Sequence, residues 1–515
     1  MRPLNHPLIQ LLAGAVALAL FPSAILAQPT SQPAATSQPS SASQPAPASQ
    51  PAGEPLPALV PAYGPYAGMD HSGTPVLPPR QITLPPQSAK PGEERPLPGY
   101  DGRPPDGLSA GEALIWVPRA IFYPVHLILK YGVQYPITGA ITLAEEHHVL
   151  NRVQRFFTFR DGKGGLFPTF FVDFGLYPSM GLYFYLDDLF VPNNNLVLQA
   201  GFWPTGWYHF TVTDRFKVFR NDQGTVTLRG EFVWRPDFVF TGLGPDSTSN
   251  EYWFGARHTE VEASLRTALK DLNRVTFGLF YRNVMIEGGD SPSVDDKAAP
   301  FSRNLQKSMP GYGWTYNLLT AQLKFELDSR SPDRVFTPGS GLRLELFGSL
   351  NVDPSDAELS FARYGAEAAG FLDVSGLNHV IALRLYTELL EPIGDAPVPV
   401  TERISLGGAE YMRGFLGGWL RGDSALVLTL DYRYPIWTFL DANIFASLGN
   451  VFNGRFEDIH IERMMMVWGI GLRSNTSRDV SFDIMLAFGT NQLGIWDDDF
   501  RINHVRAVFG INQGF

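Results

Sequence analysis

The chain contains no cysteine in 515 residues. That absence excludes disulfide staples, thiol catalysis, thiolate zinc sites and lipidation of an N-terminal cysteine. Charge is also sparse, at 18%, and its balance is acidic at -11. No run of Lys or Arg occurs, so the dense basic face needed for nucleic-acid binding is missing. Beyond residue 27 there is no long uninterrupted apolar run of the kind a helical membrane span requires.

Apolar residues are nevertheless 44% and aromatics 13%, while mean hydropathy is only -0.06. A transmembrane barrel averages to such values, because lipid-facing apolar residues alternate with polar lumen-facing ones. Residues 1–27 read as a signal peptide: Arg2 supplies the positive start, Leu8 to Leu26 the apolar core, and Ala27 a small residue before the cut. Residues 28–105 form a Pro/Ser/Gln-rich linker with too little apolar surface to offset its ordering entropy.

Residues 106–157 read as an amphipathic helical segment. Glu112, Arg119, Tyr123, His126, Lys130 and Gln134 recur at helical spacing, and Pro118 and Pro124 kink or segment the helix. Three roles fit: a brace at the barrel's periplasmic mouth, a plug in the lumen, or a helix lying in the periplasmic leaflet. The acids and histidines at 145–148 lack metal-ligand spacing and read as solvated surface.

From about residue 165 the rhythm is period two. Leu342, Leu344 and Leu346 alternate with Arg343 and Glu345. Ile381, Leu383 and Leu385 alternate with Ala382, Arg384 and Tyr386, and Phe482, Ile484, Leu486 and Phe488 with Asp483, Met485 and Ala487. About sixteen such stretches lie between 166 and 515, the last ending on Phe515, an aromatic C-terminus taken as a barrel signal. The expected fold is therefore an all-β, sixteen-stranded antiparallel transmembrane barrel over 165–515, preceded by a short helical segment. Long connections at 289–311 and 391–421, against a short turn near Gly376, give it two unlike ends.

One loop is too apolar for a solvated connection: Leu406 to Gly422, LGGAEYMRGFLGGWLRG, after the eleventh stretch. Its Arg413-Gly414-Phe415 resembles the arginine-glycine-aromatic tip of the outer-membrane assembly and two-partner-secretion superfamily that includes BamA, TamA and the bacterial surface antigens. FTGLG at 240–244, FELDSRSPDRVFTPGSG at 325–341, LDYRYPIW at 430–437 and SLGNVFN at 447–453 are similar to other pieces of that family, in the same order. The resemblance implies a loop folded into the lumen on its glycines, Gly407 and Gly408, with Arg413 paired to an acid on the wall. Thr429, Asp431 and Arg433 share one strand face opposite Leu428, Leu430 and Tyr432, which makes Asp431 the expected partner. Ser447 stands where the family often carries a further acid. No stretch reads as a POTRA module, the periplasmic domain of the longer relatives.

The implied function is an outer-membrane translocation or insertion pore gated by that loop, with a weak seam between first and last strands where Pro168 removes a ladder donor. The implied location is the bacterial outer membrane, with lipid as surroundings and unfolded outer-membrane proteins or lipid as cargo. The alternative is a passive or gated channel for small solutes or lipids, with the helix as plug. No cofactor, metal site or catalytic set is read from the sequence. The barrel histidines His209, His258, His379 and His504 belong to separated stretches without a motif.

Overall fold

The computed structural model describes residues 110–511 except 147–154, 174–175, 177, 205, 220–222, 247–250, 271–272, 290–308, 331–338, 356–357, 376, 438–439, 475–481 and 495–500. The signal peptide, the linker, His147, His148, Gly175, Gly376 and Phe515 lie outside the described residues, as do the side chains of Glu145 and Glu146.

Sixteen antiparallel strands close into a barrel. They are β1 (Gly164–Asp173), β2 (Ser179–Asp187), β3 (Asn194–Phe202), β4 (Tyr208–Val218), β5 (Gly224–Phe240), β6 (Tyr252–Lys270), β7 (Asn273–Gly288) and β8 (Thr315–Asp328). The second half comprises β9 (Gly341–Val352), β10 (Ser360–Asp373), β11 (Val380–Pro392), β12 (Ser424–Trp437), β13 (Leu440–Phe452), β14 (Met465–Ser474), β15 (Phe482–Gln492) and β16 (Ile502–Ile511). Each pairs with its neighbours in sequence, and β16 returns to β1. Closure removes the unpaired sheet edges that lipid could not satisfy.

The period-two pattern sets which side chains see lipid. Leu342, Leu344, Leu346, Leu428 and Leu430 stand exposed on the outer wall. Their neighbours turn inward and pair: Arg343 with Glu326, Glu345 and Glu367, and Arg384 with Glu367 and Asp431. Charges buried in the lumen are held by opposite charges, the arrangement that makes their desolvation tolerable.

The strand ends joined by long connections, β7 to β8 and β11 to β12, lie at one end of the barrel, and those joined by two residues, β6 to β7 and β12 to β13, at the other. The chain enters β1 from the short-turn end, which is the periplasmic one in such barrels.

Ahead of the barrel, α1 (Ala110–Ile128) runs through a π-helical turn at Leu129–Gln134 into α2 (Tyr135–Glu146). Phe122, Val125, Leu129, Val133, Ile137 and Ile141 pack on Tyr432, Tyr434, Ile436, Leu440 and Ala442. The Phe122 and Tyr432 rings stack at 4.9 Å, and the Tyr434 hydroxyl donates to Gln134 Oε1 at 2.7 Å. Tyr432 and Tyr434 alternate with the lumen-facing Asp431 and Arg433, so this packing is on the outer wall. Of the roles considered for the segment, this placement is at odds with a lumen plug, because its apolar residues are covered by the outward face of β12 and β13. Among the described residues no helix is long and apolar enough to cross a bilayer; the crossing elements are strands.

Candidate functional site

The connection between β11 and β12 folds back as a small hairpin, Ile404–Leu406 pairing with Leu420–Gly422. The chain reverses at Gly407 and Gly408 with φ of 105° and 85°, a left-handed region that favours glycine. A side chain at Gly407 would also collide with the Leu416 carbonyl. Below the reversal, Met412, Arg413 and Phe415 are buried, although they belong to a loop. Their burial follows from their apolar surroundings in the lumen, and it explains why the segment is so apolar.

Arg413 meets the wall at β12 and β13. Its Nη2 lies 3.5 Å from Asp431 Oδ2, and its guanidinium sits over the Phe445 ring at 4.4 Å. With the Asn443 amide turned to donate to the Gly471 carbonyl, its oxygen accepts from Arg413 Nη1, both at 3.1 Å. Asp431 also receives Arg384 at 3.4 Å. Thr429 and Ser447 hydrogen-bond one another at 3.0 Å, so the polar wall beside the pair is neutral where a second acid would have stood. Phe415 packs on His504 at 4.8 Å, and Trp419 on the same ring at 4.5 Å. Gly414 passes so close to β15 that a Cβ there would lie 2.8 Å from the Phe488 carbonyl group.

Further contacts seat the loop around much of the barrel. The Tyr411 ring stacks on Tyr386 at 4.0 Å, and its hydroxyl donates to Glu367 at 2.7 Å. Glu402 accepts from Tyr316 at 2.9 Å and from Arg282 at 3.1 Å on β8 and β7. On the upstream FTGLG turn, Thr241 donates to the Trp419 carbonyl at 2.5 Å and the Gly244 amide to the Arg421 carbonyl at 2.8 Å.

The contact that sequence reading missed joins the loop to the barrel's closure. Arg506 on β16 makes a two-pronged pair with Asp173 on β1, Nε to Oδ1 at 2.9 Å and Nη2 to Oδ2 at 2.7 Å. Its remaining nitrogen, Nη1, donates to the carbonyls of Gly408 and Arg413, the latter at 3.0 Å. Both charged residues are buried. Asp173 and Arg506, each the lone acid or base (Asp, Glu, Lys or Arg) in its terminal strand, were the available signal. The two strands pair at Val508–Asp173, Phe509–Val172, Gly510–Phe171 and Ile511–Phe170.

The histidines also regroup. His209 and His258, read as separate, both approach Glu231, at 3.2 and 3.6 Å, because β5 lies between their strands. His379 sits in the β10–β11 turn against His126 and Tyr434.

The Omp85 superfamily domain matches residues 193–491. The chain belongs to the Omp85 superfamily. Its barrel is accordingly a bacterial outer-membrane one, as the exposed leucine wall requires. A comparison with curated proteins gives no match. Among solved structures, this Omp85 chain is similar to BamA from Haemophilus ducreyi lacking POTRA domains 1–3, at 14% identity over 68% of this chain and 70% of that one, with a TM-score of 0.47. It is also similar to CdiB from Acinetobacter baumannii, at 13% identity over 68% of this chain and 59% of that one, with a TM-score of 0.45.

Proposed function

We propose that this Omp85 barrel is a translocation or insertion pore whose lumen is gated by the inward-folded loop carrying Arg413, Gly414 and Phe415. The observation that carries the reading is Arg506, which binds the loop's main chain and the β1–β16 seam with one guanidinium. Withdrawal of the loop strips that guanidinium of two carbonyl acceptors and weakens its hold on Asp173, so lumen opening and seam loosening become one event. A buried Arg–carboxylate pair is strong only while its remaining donors are satisfied. Unfolded outer-membrane proteins, or lipid, are the cargo that a pore open both along its axis and at its side would pass.

The test is depletion of the protein with quantification of outer-membrane proteins and lipids. A broad fall in other barrels, rescued by the wild-type chain and not by Arg413→Ala, is the expected result. Unchanged barrels with altered solute or lipid handling would overturn insertion and leave the second reading, a channel, which the ion-pair-lined lumen favours.

A further inference from the structure

The segment that packs on the outer wall is apolar on both faces. Its inner face is used by β12 and β13, yet Trp116, Ile121, Tyr123, Ile128, Tyr131 and Tyr135 point away and are each more than half exposed. A helix apolar all round is buried in protein or in lipid. Here one half has a protein partner and the other has none among the described residues.

Three observations identify the missing partner. First, the surface is continuous with the barrel's lipid-facing band. The cluster beneath the helix runs on through Leu472 and Ile484 to Phe509 and Phe170, and Leu383, Leu385, Leu428 and Leu430 stand exposed on the strands that the helix crosses. Second, the helix lies at the short-turn end, where Arg119 Nε donates to the Val374 carbonyl of the β10–β11 turn. Third, residues 115–142 contain Arg119 and Lys130 and no acid. Each cation lies 5.9 Å from a neighbouring aromatic ring, Trp116 and Tyr131. Aromatic rings with adjacent cations are the composition of a membrane interface, where rings sit at headgroup depth and cations meet phosphate.

We propose that residues 115–142 bind phospholipid of the periplasmic leaflet: acyl chains cover the outward face of the helix, and phosphate groups meet Arg119 and Lys130. The barrel is then flanked on the β11–β13 side by a lipid-immersed helix instead of bare strand, and the local bilayer packs against an uneven wall. Pro118, Pro124, Pro136 and a π-helical turn let the segment follow the curved wall while keeping its outer face continuous.

The cysteine-free chain allows single nitroxide labels at Ile121→Cys, Ile128→Cys and Lys130→Cys, with Leu428→Cys as a lipid-facing strand control. The labelled full chain is reconstituted in vesicles of phosphatidylethanolamine and phosphatidylglycerol, and retention of the heat-modifiable folded band establishes folding for each variant. Power saturation then compares collision with oxygen, which concentrates in lipid, and with a water-soluble nickel chelate. Labels at 121 and 128 are expected to behave as the Leu428 control, oxygen-accessible and nickel-shielded, with the label at 130 shallower. Nickel accessibility at 121 and 128 overturns the proposal in favour of a solvated face. Shielding from both reagents overturns it in favour of a protein partner, such as a second copy of the chain.

Discussion

Arg506 and Asp173, 333 residues apart in sequence, close the barrel with a buried two-pronged ion pair, and the third guanidinium nitrogen donates to the main chain of the inward-folded loop. Removing one member of such a pair leaves an uncompensated charge in the wall, at a cost of about 3–5 kcal/mol. Arg506→Ala is expected to lower the temperature at which the folded band disappears on semi-native gels. The double variant Arg506→Ala with Asp173→Asn should be less impaired than Arg506→Ala alone, and equal impairment would show that the pair is not coupled.

Arg413→Ala removes the contacts with Asp431 and Phe445 while leaving every strand ladder intact. A charge-assisted hydrogen bond and a cation–π contact together amount to about 2–4 kcal/mol. The barrel should therefore stay folded while the loop spends more time out of the lumen, seen as higher single-channel conductance in planar bilayers. Unchanged conductance would remove Arg413 from the gate.

Gly414→Ala tests the close approach of the tip to β15. The added Cβ would lie 2.8 Å from the Phe488 carbonyl group and 3.0 Å from the Gly489 nitrogen, all main-chain atoms that a strand cannot move cheaply. Gly230 on β5 has nothing within 4 Å of the same atom. Gly414→Ala should mimic the loop release of Arg413→Ala, and Gly230→Ala should leave conductance at the wild-type level.

Acid should loosen the outer helix. His126 packs against His379 at 5.3 Å and Tyr434 at 5.4 Å. Burial, with Lys130 adding, holds the His126 imidazole below its ordinary value of 6.5. Burial and then His126 do the same to His379, with Asp373 opposing. Undocked, both rings take up protons near pH 6.5; docked, they resist until lower pH. Docking is thus at full strength above about pH 6.5 and weakens as pH falls through that value. Hydrogen exchange across residues 119–135, corrected for intrinsic rates, should show protection falling as the pH is lowered through about 6.5. His126→Gln with His379→Gln should abolish that dependence.

The strands were legible because alternation is a local property. A lipid-facing leucine at every second position, as in Leu342, Leu344 and Leu346, fixes both strand identity and face. The loop was legible because its apolar run has no other use between two strong strands, and Asp431 because it shares a strand face with Thr429 and Arg433. The outer helix was harder: helical spacing grouped its polar residues, yet nothing in spacing distinguishes a lumen from an outer wall as the partner.

By itself, the sequence determined the number and inward face of the strands, since burial in lipid on one side and a charged lumen on the other leave a period-two imprint on every strand. Composition also marked one loop as too apolar to be solvated, and the family resemblance implied that it turns inward. Only the tertiary structure decided that Arg506 reaches Asp173, that His209 and His258 share Glu231, and that Phe122 stacks on Tyr432 outside the barrel. Those pairings depend on closure and on the stagger between strands, which bring together residues separated by up to the whole length of the barrel, and no local pattern encodes that distance.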